Sequence, residues 1–502
     1  SCKFDLSKQG NTYTMVLMVT STAIGGTLQY GYNLAIMNGP TVFIQNFVNE
    51  TYMERWGIQL GVYEVTLIWT FMVSIFSLGS FIGALIAGPM SVRFGRKKTM
   101  LLNNVFLFSS SLLALLSRTA KSFEMIIISR FLVGINAGIS MNVPMYFGES
   151  APKHLRGAVS LSSTVFTSFG LVLGQVLLGS EPYWQYLFAS NAIPGLIQFL
   201  TFPWFPENPR YLLIDWRQRA LQRLQGCEVQ REELDEILQE QNETKGERAK
   251  QPWELFTDCS VCWQLITVAV LSSAMQLCGN DSKSKRFYAS YVFQEAGISG
   301  GQIQYVTIGT GVCEFTTCIL CNLLIERLGR RLMLTGIYVL MAGWAVVFTV
   351  ALSLEVCFIH MTCIFTYILS FGMGPAGVTG ILPTEIFNQT TLPAAYMATG
   401  SLIYFNWKFD KIPNKNRISF SSECPLCFLQ SGLGQYCFLP FGAVCLLTAS
   451  YIQKVLPETK GKTLSMITKE FYRLSYCGQV KMDPEGKQAQ YQLGEIFHST
   501  AL

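Results

Sequence analysis

Several long apolar stretches of this sequence carry polar side chains that suit hydrogen bonding to a solute. Thr164, Gln276 and Glu314 each lie within a separate stretch of this kind. Polar groups are costly in lipid, so their presence in apolar helices indicates a cavity or a solute path. Groups that both donate and accept hydrogen bonds match a neutral polyhydroxyl solute, whose own hydroxyls do the same. For any single residue, a hydrogen bond to a neighbouring helix is an equally good explanation.

The polar residues of this kind form groups along the chain. They are Gln29, Asn33 and Asn38; Ser162, Ser163, Thr164, Thr167 and Ser168; Gln276, Asn280 and Asp281; and Thr310, Glu314 and Thr317. Their number favours a pathway through the protein over isolated bonds between helices.

The sequence contains no pattern that indicates covalent catalysis or a metal site. Three Cys-x-x-Cys pairs begin at Cys259, Cys318 and Cys424, but none has the partner ligands in a polar setting that zinc requires. Gly461-Lys-Thr463 is similar to the end of a phosphate-binding loop, yet Leu456 replaces the glycine required five positions earlier. We therefore predict that the protein is not an enzyme and uses no metal and no cofactor.

The composition predicts which elements position these polar residues. Half of the 502 residues are hydrophobic and only 14% are charged, which is typical of a polytopic membrane protein. A membrane helix needs about 20 apolar residues. Twelve segments, which we call spans 1 to 12, lie near residues 15–37, 63–87, 99–116, 122–147, 156–179, 183–203, 263–282, 303–325, 332–354, 358–386, from 393, and 434–456. The predicted fold class is all-α, with twelve transmembrane helices in two six-helix halves.

Two basic turns divide the chain into equivalent halves. Arg93-Phe-Gly-Arg-Lys97 follows span 2, and Arg327-Leu-Gly-Arg-Arg331 follows span 8. The shared core, in matching positions between apolar segments, favours an internal repeat over two unrelated basic loops. Such repeats are a feature of secondary transporters, in which two halves flank a substrate site near the bilayer midplane.

The distribution of Lys and Arg predicts the orientation of the chain. Basic residues concentrate in the turns after spans 2, 4 and 8 and in the central polar segment, whereas residues 38–62 contain only Arg55. By the positive-inside rule, the basic turns and both termini are cytoplasmic. Asn49-Glu-Thr51 then lies outside, where Asn49 can carry a glycan. The net charge of +5 is dispersed over short loops, so nucleic acid is not a predicted partner.

The same pattern gives the predicted domains. Residues 1–205 and 258–456 form the two six-helix halves, 206–257 form a cytoplasmic linker, and 457–502 form a cytoplasmic tail. In the linker, apolar residues recur at helical spacing among alternating charges, which favours short amphipathic helices. A solvated tether is the alternative.

Six motifs in order along nearly the whole chain carry a family resemblance. They are Tyr30-Gly-Tyr-Asn33, the turn after span 2, Gly148-Glu-Ser with Leu155-Arg-Gly157, Pro206-Glu-Asn-Pro-Arg210, Glu326-Arg-Leu-Gly-Arg-Arg331 and Pro457-Glu-Thr-Lys-Gly-Lys-Thr463. This set resembles the sugar porter branch of the major facilitator superfamily. Gln276-Leu-Cys-Gly-Asn-Asp281 and Gly374-Pro-Ala-Gly-Val-Thr-Gly380 are similar to its class II facilitative hexose transporters. The resemblance implies two halves that rock about a central hexose site.

The resemblance also implies substrate-binding residues. Gln276 would be a main partner of the sugar hydroxyls. Asp281 and Glu314 stand where the family has asparagine, and Thr164 stands where it has glutamine. These three positions depart from the family pattern while keeping a polar side chain.

Two further positions imply selectivity and mechanism. Gly380 replaces the tryptophan of glucose-selective members, which favours fructose tolerance. Asn33 stands where proton-coupled sugar porters carry an aspartate. Because an amide cannot cycle a proton, the resemblance implies a uniporter.

By the same resemblance, ion pairs close the cytoplasmic side. The residues implied are Arg93, Glu149 and Arg156 in the first half, and Glu326, Arg330 and Glu385 in the second. Arginine–carboxylate bonds would hold that side closed and break as it opens. Val92 and Leu392 replace an acidic or amide residue and an arginine of the family, so we expect a weaker gate.

Two stretches disagree with the resemblance. Residues 283–286 add cations to span 7, and two extra residues there would rotate the implied outer gate, Phe287 and Tyr288, by about 200°. Span 11 offers only about 15 apolar residues where about 20 are needed, and cations follow within residues 405–431. We therefore expect span 11 to cross poorly, which would leave the tail outside the cell.

The sequence thus predicts facilitative uniport of a hexose, glucose or fructose, by alternating access. We expect a plasma-membrane protein whose functional unit is a monomer and whose partners are the hexose and membrane lipid. The alternative is a sugar sensor, an interaction protein or an aberrant splice product that keeps the fold without transport. Val92, Leu392 and the two disagreeing stretches motivate this alternative.

Overall fold

Helices occupy all twelve predicted spans in the part of the chain that the computed structural model describes. That part comprises residues 6–151, 156–177, 183–205, 254–255, 261–278, 300–354, 357–388, 390–409, 436, 438–462 and 464–475. No strand occurs within these residues. The predicted all-α fold class is confirmed.

The helices match the spans as follows. Span 1 consists of Leu6–Gly25 and Thr27–Ala35, span 2 of Val62–Phe94, span 3 of Arg96–Leu116, span 4 of Phe123–Ile139 and Asn142–Ser150, span 5 of Arg156–Val176, and span 6 of Trp184–Ala189 and Ala192–Thr201. Span 7 consists of Cys262–Leu277, span 8 of Gly300–Leu328, span 9 of Arg330–Leu354, span 10 of Cys357–Met373 and Pro375–Ile386, span 11 of Leu392–Phe409, and span 12 of Leu439–Val455. Helix Thr41–Trp56 lies between spans 1 and 2, and helix Leu464–Ser475 follows span 12.

The helices have the length and surface of membrane spans. Among the described residues, 7 helices are long and apolar enough to cross a membrane, and Cys262–Leu277, Leu392–Ile403 and Leu439–Val455 are shorter apolar helices. Span 6 exposes Ile193, Leu196 and Leu200, as expected of a helix that faces lipid. The protein is a multi-pass membrane protein.

The two basic turns have the same backbone geometry. Gly95 and Gly329 both have a φ of +88°, a conformation that strains any residue with a Cβ. Each glycine directly precedes an arginine, Arg96 or Arg330, that begins the next helix. The repeat read from the sequence is therefore present in the backbone.

Glycines allow some of the helices to approach closely. A Cβ on Gly134 of span 4 would lie 3.0 Å from the Cα of Gly79 in span 2. A Cβ on Gly170 of span 5 would lie 3.0 Å from the backbone nitrogen of Tyr32 in span 1. These small residues allow the two pairs of helices to approach closely.

The two halves contact each other at the end of the bundle that carries the basic turns, which we call the basic end. A Cβ on Gly88 of span 2 would lie 3.1 Å from the carbonyl oxygen of Pro393 in span 11. Asn322 of span 8 donates a hydrogen bond of 3.1 Å from Nδ2 to the carbonyl of Ala158 in span 5. The basic end is therefore closed between these two pairs of spans.

The expectation that span 11 crosses poorly stays a prediction, because the residues that connect it to span 12 lie outside the described part of the chain. Span 11 begins at the basic end, where Pro393 meets Gly88. After span 12, the carboxylate of Glu458 accepts hydrogen bonds from the backbone nitrogens of Arg330 (3.0 Å) and Arg331 (3.2 Å), again at the basic end. Packing against spans 2 and 7 supports span 11, whose apolar run is short.

Several predictions concern residues that the structure does not describe. The added cations at 283–286, the implied outer gate Phe287 and Tyr288, and most of 405–431 lie outside the described residues, as does nearly all of the predicted linker.

Candidate functional site

Span 5 directs one face at the second half of the chain, and this face carries Thr164. A Cβ on Gly377 of span 10 would lie 2.9 Å from Cδ1 of Leu161. The Oγ of Ser168 lies 3.1 Å from the Sγ of Cys318 in span 8. Thr164 lies three residues after Leu161 and four before Ser168, so it shares their helical face. Its half-buried side chain is placed between spans 8 and 10.

Glu314 and Gly380 lie on the two spans that face Thr164. Glu314 is one helical turn from Cys318 in span 8, and Gly380 is one turn from Gly377 in span 10. Both residues are half-buried. The structure thus brings three of the predicted substrate-binding residues into one region between the halves.

Gly380 faces open space within this region. A Cβ at Gly380 would meet no heavy atom within 4 Å, whereas a Cβ at Gly377, one turn away, would meet Leu161 and Cys321. The carbonyl oxygen of Gly380 accepts a hydrogen bond of 3.1 Å from the Oη of Tyr396 in span 11. The described atoms thus leave open space at Gly380 beside a packed turn of the same helix.

Gln276 lies in the last turn of the span 7 helix, and its side chain is half-buried. Two residues later, the carbonyl of Cys278 accepts a hydrogen bond from the hydroxyl of Tyr367 in span 10. This bond fixes the end of span 7 against span 10. Asp281 lies outside the described residues, so its place in the site stays a prediction.

Asn33 is located away from this region, among the helices of the first half. Its Nδ2 donates to Oδ1 of Asn191 in span 6 (2.9 Å), and Nδ2 of Asn191 donates back to Oδ1 of Asn33 (3.0 Å). Nδ2 of Asn33 also donates to the carbonyl of Gln29. Asn33 is 1% exposed, so this amide joins spans 1 and 6. For Asn33, the alternative of a bond between helices is the arrangement observed.

A buried cation adjoins Asn33. The guanidinium of Arg130 in span 4 is 2% exposed, donates to the backbone carbonyl of Asn33 at 3.4 Å and lies 4.7 Å from the ring centroid of Phe76. Within the described residues, no carboxylate forms an ion pair with Arg130. The groups that contact the guanidinium of Arg130 are thus the backbone carbonyl of Asn33 and the ring of Phe76.

The predicted ion pairs of the second half are present at the basic end. Arg330 is 5% exposed, and its Nη2 lies 2.7 Å from Oε1 of Glu385 and 3.0 Å from Oε1 of Glu326. The other oxygen of Glu385 accepts a hydrogen bond of 2.6 Å from Thr459, and Glu458 binds the backbone at Arg330. Glu458 and Thr459, which follow span 12, thereby contact the residues at the turn after span 8.

In the first half, Arg96 binds Glu149 among the side chains that the structure describes. Nε and Nη2 of Arg96 donate to the two oxygens of Glu149 at 3.2 and 3.1 Å, and both side chains are buried. Arg93, which the resemblance implied, is exposed at the end of span 2 and lies over the ring of Phe94. The side chain of Arg156 lies outside the described part, although its neighbour Gly157 packs against Arg330.

The internal repeat contained the signal for Arg96. Aligning the two basic turns places Arg93 opposite Arg327 and Arg96 opposite Arg330. Since Arg330 forms the ion pair of the second half, its equivalent in the first half is Arg96. The turn glycine before each arginine gives the same alignment.

Asn49 lies in helix Thr41–Trp56, at the end of the bundle opposite the basic turns. Its Oδ1 accepts a hydrogen bond of 3.2 Å from the backbone nitrogen of Leu60, and Thr51 of the same triplet is buried. Its glycosylation stays a prediction.

Comparison with known proteins agrees with this geometry. The family model described as "Sugar (and other) transporter" matches residues 18–471. The chain is 47% identical over 478 residues to solute carrier family 2, facilitated glucose transporter member 11 from Homo sapiens, covering 92% of this chain and 94% of that protein. It is 37% identical over 512 residues to member 5 from Bos taurus, covering 98% and 97%.

A solved structure shares the fold. The proton:xylose symporter XylE bound to 6-bromo-6-deoxy-D-glucose superposes with a TM-score of 0.77, covering 92% of this chain and 99% of that chain. The two sequences are 22% identical, so this likeness concerns the fold alone.

Proposed function

We propose hexose uniport for this chain, which belongs to the sugar transporter family of the major facilitator superfamily and is a class II-like facilitated glucose transporter homologue. As a member of this family, it is a sugar transporter and not an enzyme. The finer proposal is that it moves glucose, fructose or both down their gradients by alternating access, with no cofactor.

The observation that carries the hexose proposal is the open space at Gly380. This space adjoins Thr164 and Glu314 in the region between the halves, where hydroxyls of a bound sugar would find partners. Gln276, and Asp281 beyond the described residues, would complete the set. Absence of a large side chain at Gly380 supports tolerance of fructose, whose ring differs in shape from that of glucose.

The surroundings of Arg130 support uniport over proton coupling. Cycling a proton needs a group that gains and loses it, and the residue at this point of span 1 is the amide of Asn33. That amide is also held by Asn191 in a reciprocal pair. The amides of Asn33 and Asn191 cannot carry a proton through the transport cycle.

The ion pairs support alternating access. Arg96–Glu149 and Arg330–Glu385 form equivalent pairs in the two halves at the closed basic end. Arginine–carboxylate pairs have two discrete states, made and broken, which is what a gate requires. In this proposal, opening of the basic end exposes the sugar site to the cytoplasm.

We place the protein in the plasma membrane as a functional monomer, with lipid as its surroundings and with both termini and the basic end cytoplasmic. Asn49 then faces outside, where it can carry a glycan. The proposed domains remain 1–205, 206–257, 258–456 and 457–502. The transport-dead alternative is not favoured, because every described member of the gate that is buried has a partner.

Uptake of labelled fructose and glucose by cells that lack their own hexose carriers tests this proposal. We expect saturable uptake of at least one sugar, competed by the other if both are substrates. Surface expression with no uptake of either sugar would contradict the proposal and favour the transport-dead alternative.

A further inference from the structure

A buried tyrosine connects the region of the proposed sugar site to the basic end. Tyr396 of span 11 is 3% exposed, and its Oη donates a hydrogen bond of 3.1 Å to the backbone carbonyl of Gly380. Thr384, one turn beyond Gly380, packs against the first half, since a Cβ on Gly148 of span 4 would lie 2.9 Å from the Cβ of Thr384. Tyr396 therefore holds the segment of span 10 that runs from the open space toward Glu385.

This segment of span 10 is weakened by a proline. Pro383 lies inside the helix Pro375–Ile386 and has no N–H to donate to the carbonyl of Thr379. Loss of this bond loosens the helix between Gly380 and Glu385. The phenol of Tyr396 binds the next carbonyl along, that of Gly380, and so adds a bond from span 11 beside the one that the proline removes.

The part of span 11 that carries Tyr396 packs against the first half. A Cβ on Gly88 of span 2 would lie 3.1 Å from the carbonyl oxygen of Pro393, and a Cβ on Gly400 would lie 3.1 Å from the Cβ of Ala84 in span 2. Tyr396 lies three residues after Pro393 and four before Gly400, so it shares their helical face. Separation of the halves therefore removes span 2 from the face of span 11 that carries Tyr396.

We infer that Tyr396 is a positioning residue that ties the backbone at Gly380 to the closed state of the basic end. In the closed state the phenol is buried and donates to that carbonyl. When the basic end opens, water reaches the phenol and competes for its hydroxyl, so the bond stabilises the closed state more than the open one. Loss of the hydroxyl shifts the equilibrium toward the open basic end.

The test compares sugar entry with sugar exit, and it rests on the proposed transport function. Tyr396→Phe should raise the KM for entry and lower the KM for exit, so that their ratio rises about five-fold, the effect of one hydrogen bond. A purely structural loss would lower transport equally in both directions. Tyr396→Leu, which also lacks the hydroxyl, should shift the ratio in the same direction and serves if Tyr396→Phe does not reach the membrane.

Tyr32→Phe is the matched control. Tyr32 is 4% exposed, and its Oη lies 3.1 Å from the carbonyl oxygen of Leu187 and 2.7 Å from the Oγ of Ser190. These partners lie within the first half, whereas Tyr396 lies on the face of span 11 that packs against span 2 of the other half. This variant loses a comparable bond and should leave the ratio of entry to exit KM unchanged. A ratio that is unchanged in Tyr396→Phe, or that changes equally in Tyr32→Phe, overturns the inference. Absence of flux in the unaltered protein overturns the proposed function instead.

Discussion

At the residue scale, a missing side chain defines the proposed sugar site. Gly380 has open space where Gly377, one turn away, has none. The polar residues around that space can bond either a solute or one another. Open space at Gly380 is a clearer indication than a polar residue, because a bulky side chain placed there would exclude the sugar.

Filling this space should change selectivity. Gly380→Trp is expected to lower fructose kcat/KM by about ten-fold or more relative to glucose, since steric misfit in a pocket costs about 1–3 kcal/mol. Gly343→Trp is the control, because Gly343 also has nothing within 4 Å but lies exposed on span 9. Uptake of fructose and of glucose, each measured in cells that express the variant, gives this ratio. An equal loss for both would show that position 380 does not discriminate between them.

The two arginines of the first basic turn should differ sharply. Arg96→Gln leaves the buried carboxylate of Glu149 without its cation, which costs about 3–5 kcal/mol. Arg93→Gln changes an exposed residue and should cost no more than about 0.5 kcal/mol. Thermal unfolding of the purified variants, with sugar uptake alongside, separates them. If Arg93→Gln were the more damaging, the assignment of the gate to Arg96 would be wrong.

Residue types were predictable from the sequence, but the direction in which each side chain points was less so. The sequence identified Asn33 as a polar residue in lipid, and only the position of Asn191 on another helix shows that the two bond each other. Arg96 could have been predicted, because the repeat aligns it with Arg330. No comparable signal marked Tyr396 as the partner of Gly380.

At the scale of elements, close contact between spans 2 and 4 depends on glycine. Gly134→Ala would place a Cβ 3.0 Å from the Cα of Gly79, a contact between two backbones that cannot easily move apart. We expect a destabilisation of about 1–3 kcal/mol, as for other overpacked sites. Gly343→Ala on span 9 has open space and should be nearly neutral. Similar unfolding temperatures for the two variants would argue against this packing.

The contacts of the segment after span 12 give a topological prediction. Because Glu458 binds the backbone at Arg330, a tag after Leu502 should lie on the same side of the membrane as a tag in the turn after span 2. Protease protection in intact and permeabilised cells measures both. A tail tag that is accessible from outside would support the expectation that span 11 crosses poorly.

The sequence predicted the existence of the helices well because apolar length is a local property. Whether span 11 crosses is harder to predict, because crossing also depends on burial against neighbouring helices. Span 11 packs on spans 2 and 7, whose positions follow from the whole fold. The same limit explains why the short apolar helix Cys262–Leu277 can serve as span 7.

At the scale of the whole molecule, the two halves have equivalent ion pairs at the basic end but contribute unequally to the proposed sugar site. Each half has a turn glycine, a following arginine and a buried carboxylate, as in Gly95, Arg96 and Glu149. In the part of the chain described, the open space of Gly380 belongs to the second half, and the buried cation Arg130 belongs to the first. We therefore expect the second half to contribute most of the sugar contacts, and the first half to move relative to it during transport.

Hexose flux in proteoliposomes tests the central claim most directly. With purified protein and equal pH on both sides, labelled hexose should enter saturably, stop at the equilibrium distribution and be unaffected by a protonophore. These results follow because no carboxylate of the described residues pairs with Arg130, and the adjacent amide of Asn33 cannot carry a proton. Uptake that appears only with an imposed proton gradient, or accumulation above equilibrium that a protonophore abolishes, would contradict uniport.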